Sequence, residues 1–141
     1  MDYREAYEKA LQLLNVRFLS EGELKAKLRR RGADDDVLED VVAALEGEHF
    51  LDDQRLARDV YRYYARKGQY GHLYIVNRLR RRCLPVPEDV ERPDEYALAG
   101  DLVKRKFSYR ADEARKAARF LQYRGFSPSV IRDVLEDFTA H

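Results

Sequence analysis

The sequence predicts an all-α protein built as three tandem three-helix repeats of helix-turn-helix type. Three observations carry that prediction. The stretch LRRRGADDDVLEDVV, Leu28 to Val42, is echoed without a gap by LQYRGFSPSVIRDVL, Leu121 to Leu135. Leu28 pairs with Leu121, Arg31 with Arg124, Gly32 with Gly125, Val37 with Val130, Asp40 with Asp133 and Val41 with Val134. Apolar residues elsewhere recur at helical spacing, and no segment sustains the period of two that a half-buried strand requires. The charged fraction, 38%, is high and suits thin helical units with much surface per residue. A duplicated helical unit is more often a binding surface than a catalytic cleft.

The first repeat is expected at 1–48. Tyr7, Ala10, Leu11 and Leu14 share one face, so a helix should run from about residue 3 to 16. Ser20 can cap the next helix, with Glu23 reaching back to it as in a capping box. Leu24 and Leu28 then face the core, and Gly32 stops the helix with its easy left-handed conformation. Asp34 or Asp35 can cap a third helix carrying Val37, Leu38, Val41, Val42 and Leu45, which Gly47 should close.

The second repeat is expected at 49–93. Asp52 is a good N-cap, and Asp53 is favourable in the first turn. Leu56, Ala57, Val60, Tyr61 and Tyr64 form the apolar stripe, and Gly68 and Gly71 bracket a turn. The following helix carries Leu73, Ile75, Val76 and Leu79 inward and ends in Arg80, Arg81 and Arg82. Pro85, Pro87 and Pro93 then permit only a short or distorted helix, so this repeat has an irregular end. The third repeat is expected at 94–141. Ala97, Leu98, Leu102 and Val103 lead to Phe107, and Ala114, Ala117, Ala118 and Leu121 lead to Gly125. Ser127 caps the last helix, with Pro128 at its first position and Val130, Ile131, Val134, Leu135 and Phe138 inward.

The near-zero net charge, +1, conceals sorted blocks. Nine acids and no Lys or Arg lie between Ala33 and Asp53. Nine bases and one acid follow from Gln54 to Cys83. Such alternation makes either basic and acidic strips or merely solvated faces. The candidate basic strip is Lys25, Lys27, Arg29, Arg30 and Arg31 in the first repeat, Arg78, Arg80, Arg81 and Arg82 in the second, and Lys116, Arg119 and Arg124 in the third. Along a phosphate backbone these would give strong salt dependence and little sequence preference. At helix ends they equally complement the dipole.

Ten tyrosines are present and five cluster beside the second basic block. Tyr61 and Tyr64 are expected in the core. Tyr63 and Tyr70 are the candidates for exposed contacts that stack on unpaired bases. Asp52 and Asp53 invite a metal reading, but the cap explains them and no third ligand is evident. His49, His72 and His141 show no ligand spacing. Gly68 and Gly71 lack the Lys-Ser/Thr of a nucleotide loop. No catalytic constellation, metal or cofactor is therefore expected. The lone Cys83 excludes an internal disulfide and is read as a structural thiol, buried or half-exposed, in a reducing compartment. No stretch reads as a signal peptide or membrane span, so a soluble cytoplasmic protein is expected. No coiled-coil seam is seen, and a monomer is expected.

Three runs together resemble one known family. ALQLLNVRFLSEGELKAKLRRRG, FLDDQRLARDVY with IVNRLRRR, and FLQYRGFSPSVIRDVLEDF are similar, in order and over nearly the whole chain, to the RecX family of modulators of the recombinase RecA. The resemblance implies an elongated, curved all-α array of three-helix repeats. It implies binding to the RecA filament, within its groove, with negative modulation of recombination and repair. It also implies DNA contact, single- or double-stranded, and no catalytic activity. Arg82-Cys83 stands where the family has a basic residue followed by Gly.

Overall fold

The computed structural model describes residues 1–108 and 111–139; His141 lies outside the described residues. Among these there are eight α-helices, one 3-10 turn and no strand. The helices are α1 (Tyr3–Val16), α2 (Glu21–Arg30), α3 (Asp35–Gly47), α4 (Asp53–Arg66), α5 (His72–Arg81), α6 (Glu95–Lys106), α7 (Ala114–Tyr123) and α8 (Pro128–Thr139). Two compact units divide the chain. One comprises Met1–Asp59 with Leu79–Pro87, the other Val60–Arg78 with Glu88–His141.

In the first unit α1 packs on α2 and α3. Asp2 opens α1 by accepting from the Glu5 N–H at 2.8 Å, and Ala6 and Ala10, four apart, are fully buried. Their small side chains let Leu24, Leu28, Leu38, Val41 and Leu45 close over them. Each such leucine stabilises by about 1.5–3 kcal/mol relative to an exposed one. The start of α2 is unusually well satisfied. The Ser20 hydroxyl accepts from the Glu23 N–H at 3.0 Å, and the Glu23 carboxylate accepts from the Ser20 N–H at 2.9 Å. Asp53 adds a third bond, accepting from the Glu21 N–H at 2.9 Å. Three donors that a helix start leaves orphaned thus find partners.

Asp34, not Asp35, caps α3, accepting from the Val37 N–H at 3.0 Å. Gly47 does not supply the stop expected of it. It is the last residue of α3, and the left-handed residue is His49, at φ 65°. Histidine is among the few non-glycine residues that tolerate this region, and the Leu45 carbonyl accepts from the Phe50 N–H at 2.9 Å to finish the turn.

In the second unit α8 packs on α6 and α7, around Ala99, Val103, Ala117, Leu121, Phe126, Val134 and Phe138. Asp94 caps α6 by accepting from the Ala97 N–H at 3.2 Å. Phe107 and Phe120 meet edge to face, their centroids 5.7 Å apart. Tyr61 is fully buried, and its hydroxyl lies 2.8 Å from His72 Nδ1. The Glu95 carboxylate accepts from the His72 N–H at 2.8 Å, which caps α5 from a distant segment. Leu73 departs from its expected inward position and is 47% exposed, because at about 100° per residue it lies on another side of α5 from the buried Ile75 and Leu79. After α5 the proline-rich stretch 84–94 forms no helix.

Candidate functional site

The Leu-x-x-Arg-Gly turn occurs three times, once with cysteine in place of glycine. Residues 28–33, 79–84 and 121–126 end α2, α5 and α7 with the same backbone bonds. The N–H groups of Ala33, Leu84 and Phe126 donate to the carbonyls of Leu28, Leu79 and Leu121 at 3.1, 2.9 and 3.2 Å. The residues ahead of them, Gly32, Cys83 and Gly125, are left-handed at φ 97°, 57° and 84°. This is a helix stop closed by an apolar residue. Asp34 and Ser127 then start the next helix after the first and third turns, Ser127 accepting from the Val130 N–H at 3.4 Å.

The three turns present three equivalent arginines, and each meets a different fate. Arg31 is exposed. Arg82 is tied down: its guanidinium donates to the Phe18 carbonyl at 2.8 Å and to the Glu23 carboxylate at 3.1 Å. Burial pushes the Glu23 carboxyl up, but the hydrogen bonds from Arg82 and Ser20, with the charges of Arg82 and Arg17, outweigh it and leave the group below its ordinary value. Arg124 donates to the Gln69 side-chain carbonyl at 2.7 Å and lies over Phe120 and Tyr70, at 4.9 and 5.6 Å from their centroids.

The other cations singled out in the sequence divide in the same way. Lys25 pairs with Glu21 at 2.9 Å, and Arg29 with Asp35 at 3.3 Å. Both are surface pairs worth about 0–1 kcal/mol, so they restrain the side chains without removing their charge. Lys27, Arg30, Arg80 and Arg81 are exposed in the first unit, and Lys116 and Arg119 in the second. Arg78 donates twice to the Tyr74 hydroxyl, at 2.8 and 3.1 Å.

Four tyrosines of the second unit, Tyr63, Tyr64, Tyr70 and Tyr74, form a cluster. Tyr70 and Tyr74 stack in parallel, centroids 3.9 Å apart and planes 5° apart. Tyr64 meets both edge-on at about 6 Å. Tyr70 is therefore half-buried in this stack rather than a free contact residue, whereas Tyr63 is 52% exposed with the Lys67 ammonium 4.7 Å above its ring. Burial raises the Tyr74 phenol, but hydrogen bonds from Arg78 and Tyr70 and the charges of Arg78 and Arg124 leave it below its ordinary value. Sequence reasoning missed Tyr74 and Lys67. The four-residue steps Tyr70–Tyr74–Arg78 and Tyr63–Lys67 were the available signal.

Asp52 caps α4, accepting from the Arg55 N–H at 3.1 Å, while Asp53 caps α2. Among the described residues no group of three or more His, Cys, Asp or Glu gathers in a way that could hold a metal ion. Cys83 is exposed, with its Cβ against Gly22. An open groove of about 490 Å³ lies beside the third turn, lined by Leu73, Tyr74, Ala118, Phe126, Pro128 and Ile131. No helix among the described residues is long and apolar enough to cross a membrane.

Two family models match the chain: the first three-helix domain of RecX over residues 6–45, and the third three-helix domain of RecX over 93–135. A protein of Vibrio cholerae named Regulatory protein RecX is 32% identical over 96% of this chain and 94% of its own length. The protein of that name in Geobacillus kaustophilus is 30% identical over 99% of this chain, which spans only 56% of that longer relative. The crystal structure of RecX from Lactobacillus salivarius superposes with a TM-score of 0.79 at 22% identity, covering 99% of this chain and 98% of that one.

Proposed function

The chain belongs to the RecX family of regulatory proteins, and from that premise we propose that it is a negative modulator of the recombinase RecA. It binds the RecA–DNA filament, in the filament's groove, and limits its growth or activity. Members of the family are regulators rather than enzymes. The observation that carries the reading is the match over nearly the full length of the Vibrio relative. Exposed cations support it. Lys27, Arg30, Arg31, Arg80 and Arg81 in one unit and Lys116 and Arg119 in the other are exposed and form no ion pair among the described residues. Such charges speed encounter with a polyanionic filament and give a binding energy that falls with salt. Three copies of one turn also suit a polymeric partner, since successive copies can meet successive subunits.

The test is ATP hydrolysis by the cognate RecA on single-stranded DNA while this protein is titrated in. Inhibition far below one molecule per RecA is the expected result, because blocking growth at a few positions silences many subunits. Inhibition that begins only when the protein coats the DNA would replace the reading with that of a stand-alone DNA-binding protein. Alanine at Arg80 and Arg81 together should weaken inhibition several-fold at low salt and less at physiological salt.

A further inference from the structure

We propose that the tyrosine–cation cluster of the second unit is a preformed site for an unpaired nucleic-acid strand, with Arg78, Arg124 and Lys67 on the phosphates and Tyr63 against a base. Four cations here sit on aromatic rings instead of on acids. Lys67 lies over Tyr63, Arg78 over Tyr74 and Tyr64, Arg124 over Phe120 and Tyr70, and Lys106 over Phe120 at 4.5 Å. None of the four forms an ion pair among the described residues. A ring quadrupole holds a cation in place but leaves its charge intact. The result is a rigid positive patch whose cations form no ion pair among the described residues, which is what an anion site needs before its anion arrives.

The rigidity has visible causes. Tyr74 is clamped between the stacked ring of Tyr70 and the two bonds from Arg78, while Gln69 fixes the Arg124 guanidinium. The backbone is held as well, the Gly71 N–H donating to the Arg124 carbonyl at 2.7 Å. Guanidinium groups held this way retain free N–H donors for phosphate oxygens. The half-exposed ring of Tyr63, with an ammonium on it, favours a nucleic acid over an acidic peptide. A base offers a flat π-face to stack there, and a carboxylate does not. A single strand is favoured over a duplex because duplex bases are already stacked.

This proposal does not rest on the RecA reading and is tested on the protein alone. Fluorescein-labelled oligo(dT) is titrated by anisotropy, alongside the same strand annealed to oligo(dA) and an unlabelled poly-glutamate competitor. The chain has ten tyrosines and no tryptophan, so its own emission reports on tyrosine stacking. Oligo(dT) should bind more tightly than the duplex and quench tyrosine emission. Arg78→Gln with Arg124→Gln should weaken binding about tenfold, and Tyr63→Ala by roughly tenfold with loss of quenching. Lys67→Gln, at an exposed position that cannot unfold the unit, should weaken binding several-fold and flatten its salt dependence. Affinity of the Lys67→Gln and Tyr63→Ala proteins for oligo(dT) equal to that of the parent would overturn the proposal. So would preference for duplex without quenching, or displacement of the strand by poly-glutamate at equal charge.

Discussion

The turns at Gly32 and Gly125 share their leucine, their arginine and their hydrogen bonds, yet their surroundings are opposite. A Cβ added at Gly32 would meet nothing within 4 Å; one added at Gly125 would lie 2.2 Å from the Tyr74 nitrogen. The third turn accepts bonds from Gly71 and Leu73, so the start of α5 rests directly on it. Among the described residues the first accepts no such neighbour, and it leaves Arg31 exposed. One repeated segment thus serves as an open display of charge in one unit and as a joint in the other. Repetition specifies the turn, whereas the residues that approach it specify its use.

Alanine at the two glycines gives the largest contrast. Both replacements place a Cβ in the left-handed region, which costs about 1–2 kcal/mol. At Gly125 the collision with Tyr74 backbone adds about 1–3 kcal/mol of overpacking. Gly125→Ala should therefore lower the urea midpoint by two to three times as much as Gly32→Ala. Equal midpoints would mean that the third turn is not a joint at all.

The arginines come next. Arg82 and Glu23 are 24% and 18% exposed, and their bonds link residues 59 apart in sequence. After allowance for solvent, Arg82→Gln should cost about 1 kcal/mol and Arg31→Gln about 0.5 kcal/mol or less. A double-mutant cycle with Glu23→Gln isolates the pair. Zero coupling would return Arg82 to the set of free cations. The functional order should be reversed, with Arg31→Gln affecting filament inhibition more than Arg82→Gln.

Cys83 supplies an intermediate case. It holds the left-handed position that glycine holds in the other two turns, and its Cβ lies 2.6 Å from where a Cβ on Gly22 would sit. Cys83→Gly should stabilise by about 0.5–1 kcal/mol through relief of the left-handed strain. Gly22→Ala should destabilise the parent and be tolerated in the Cys83→Gly background. Additive effects would show that the two residues do not share the space.

Local grammar made much of this legible in the chain. The capping box of Ser20 and Glu23, the glycine stops at Gly32 and Gly125 and the Ser127-Pro128 start each act within a few residues. Helical spacing located the core leucines for the same reason. The tether from Arg82 to Glu23, the Asp53 cap on α2 and the rest of α5 on the Gly125 turn all join distant segments, which a single sequence does not pair. Leu73 misleads because an apolar residue invites an inward reading, although two residues from Ile75 is about 200° round a helix. Cys83 hid a left-handed turn because cysteine rarely adopts one. The Tyr70–Tyr74 stack is hidden because the sequence marks Tyr70 as an exposed contact residue and does not show that the ring four residues on covers it.

The smallest effect expected is a pH response that separates the two units. Burial lowers the His72 imidazole below its ordinary 6.5, the Arg92 charge lowers it further, and Glu95 only partly opposes them. The folded state therefore favours neutral His72, while the unfolded chain takes up a proton as pH falls past 6.5. Stability is fully present above that value, declines as pH drops towards the folded value, and then levels off. In the first unit the titrating partner is Glu23, whose lowered value places its loss below about pH 4.5. As pH falls below about 6.5, and before the carboxylates titrate, the second unit should weaken, through the hydrogen bond between the Tyr61 hydroxyl and His72 Nδ1 at the start of α5. Amide exchange across that interval should speed up in α5 and leave α2 and α3 unchanged, and His72→Gln should abolish the change. Uniform acceleration over both units would mean that they unfold as one and that the contrast drawn from their turns does not extend to their stability.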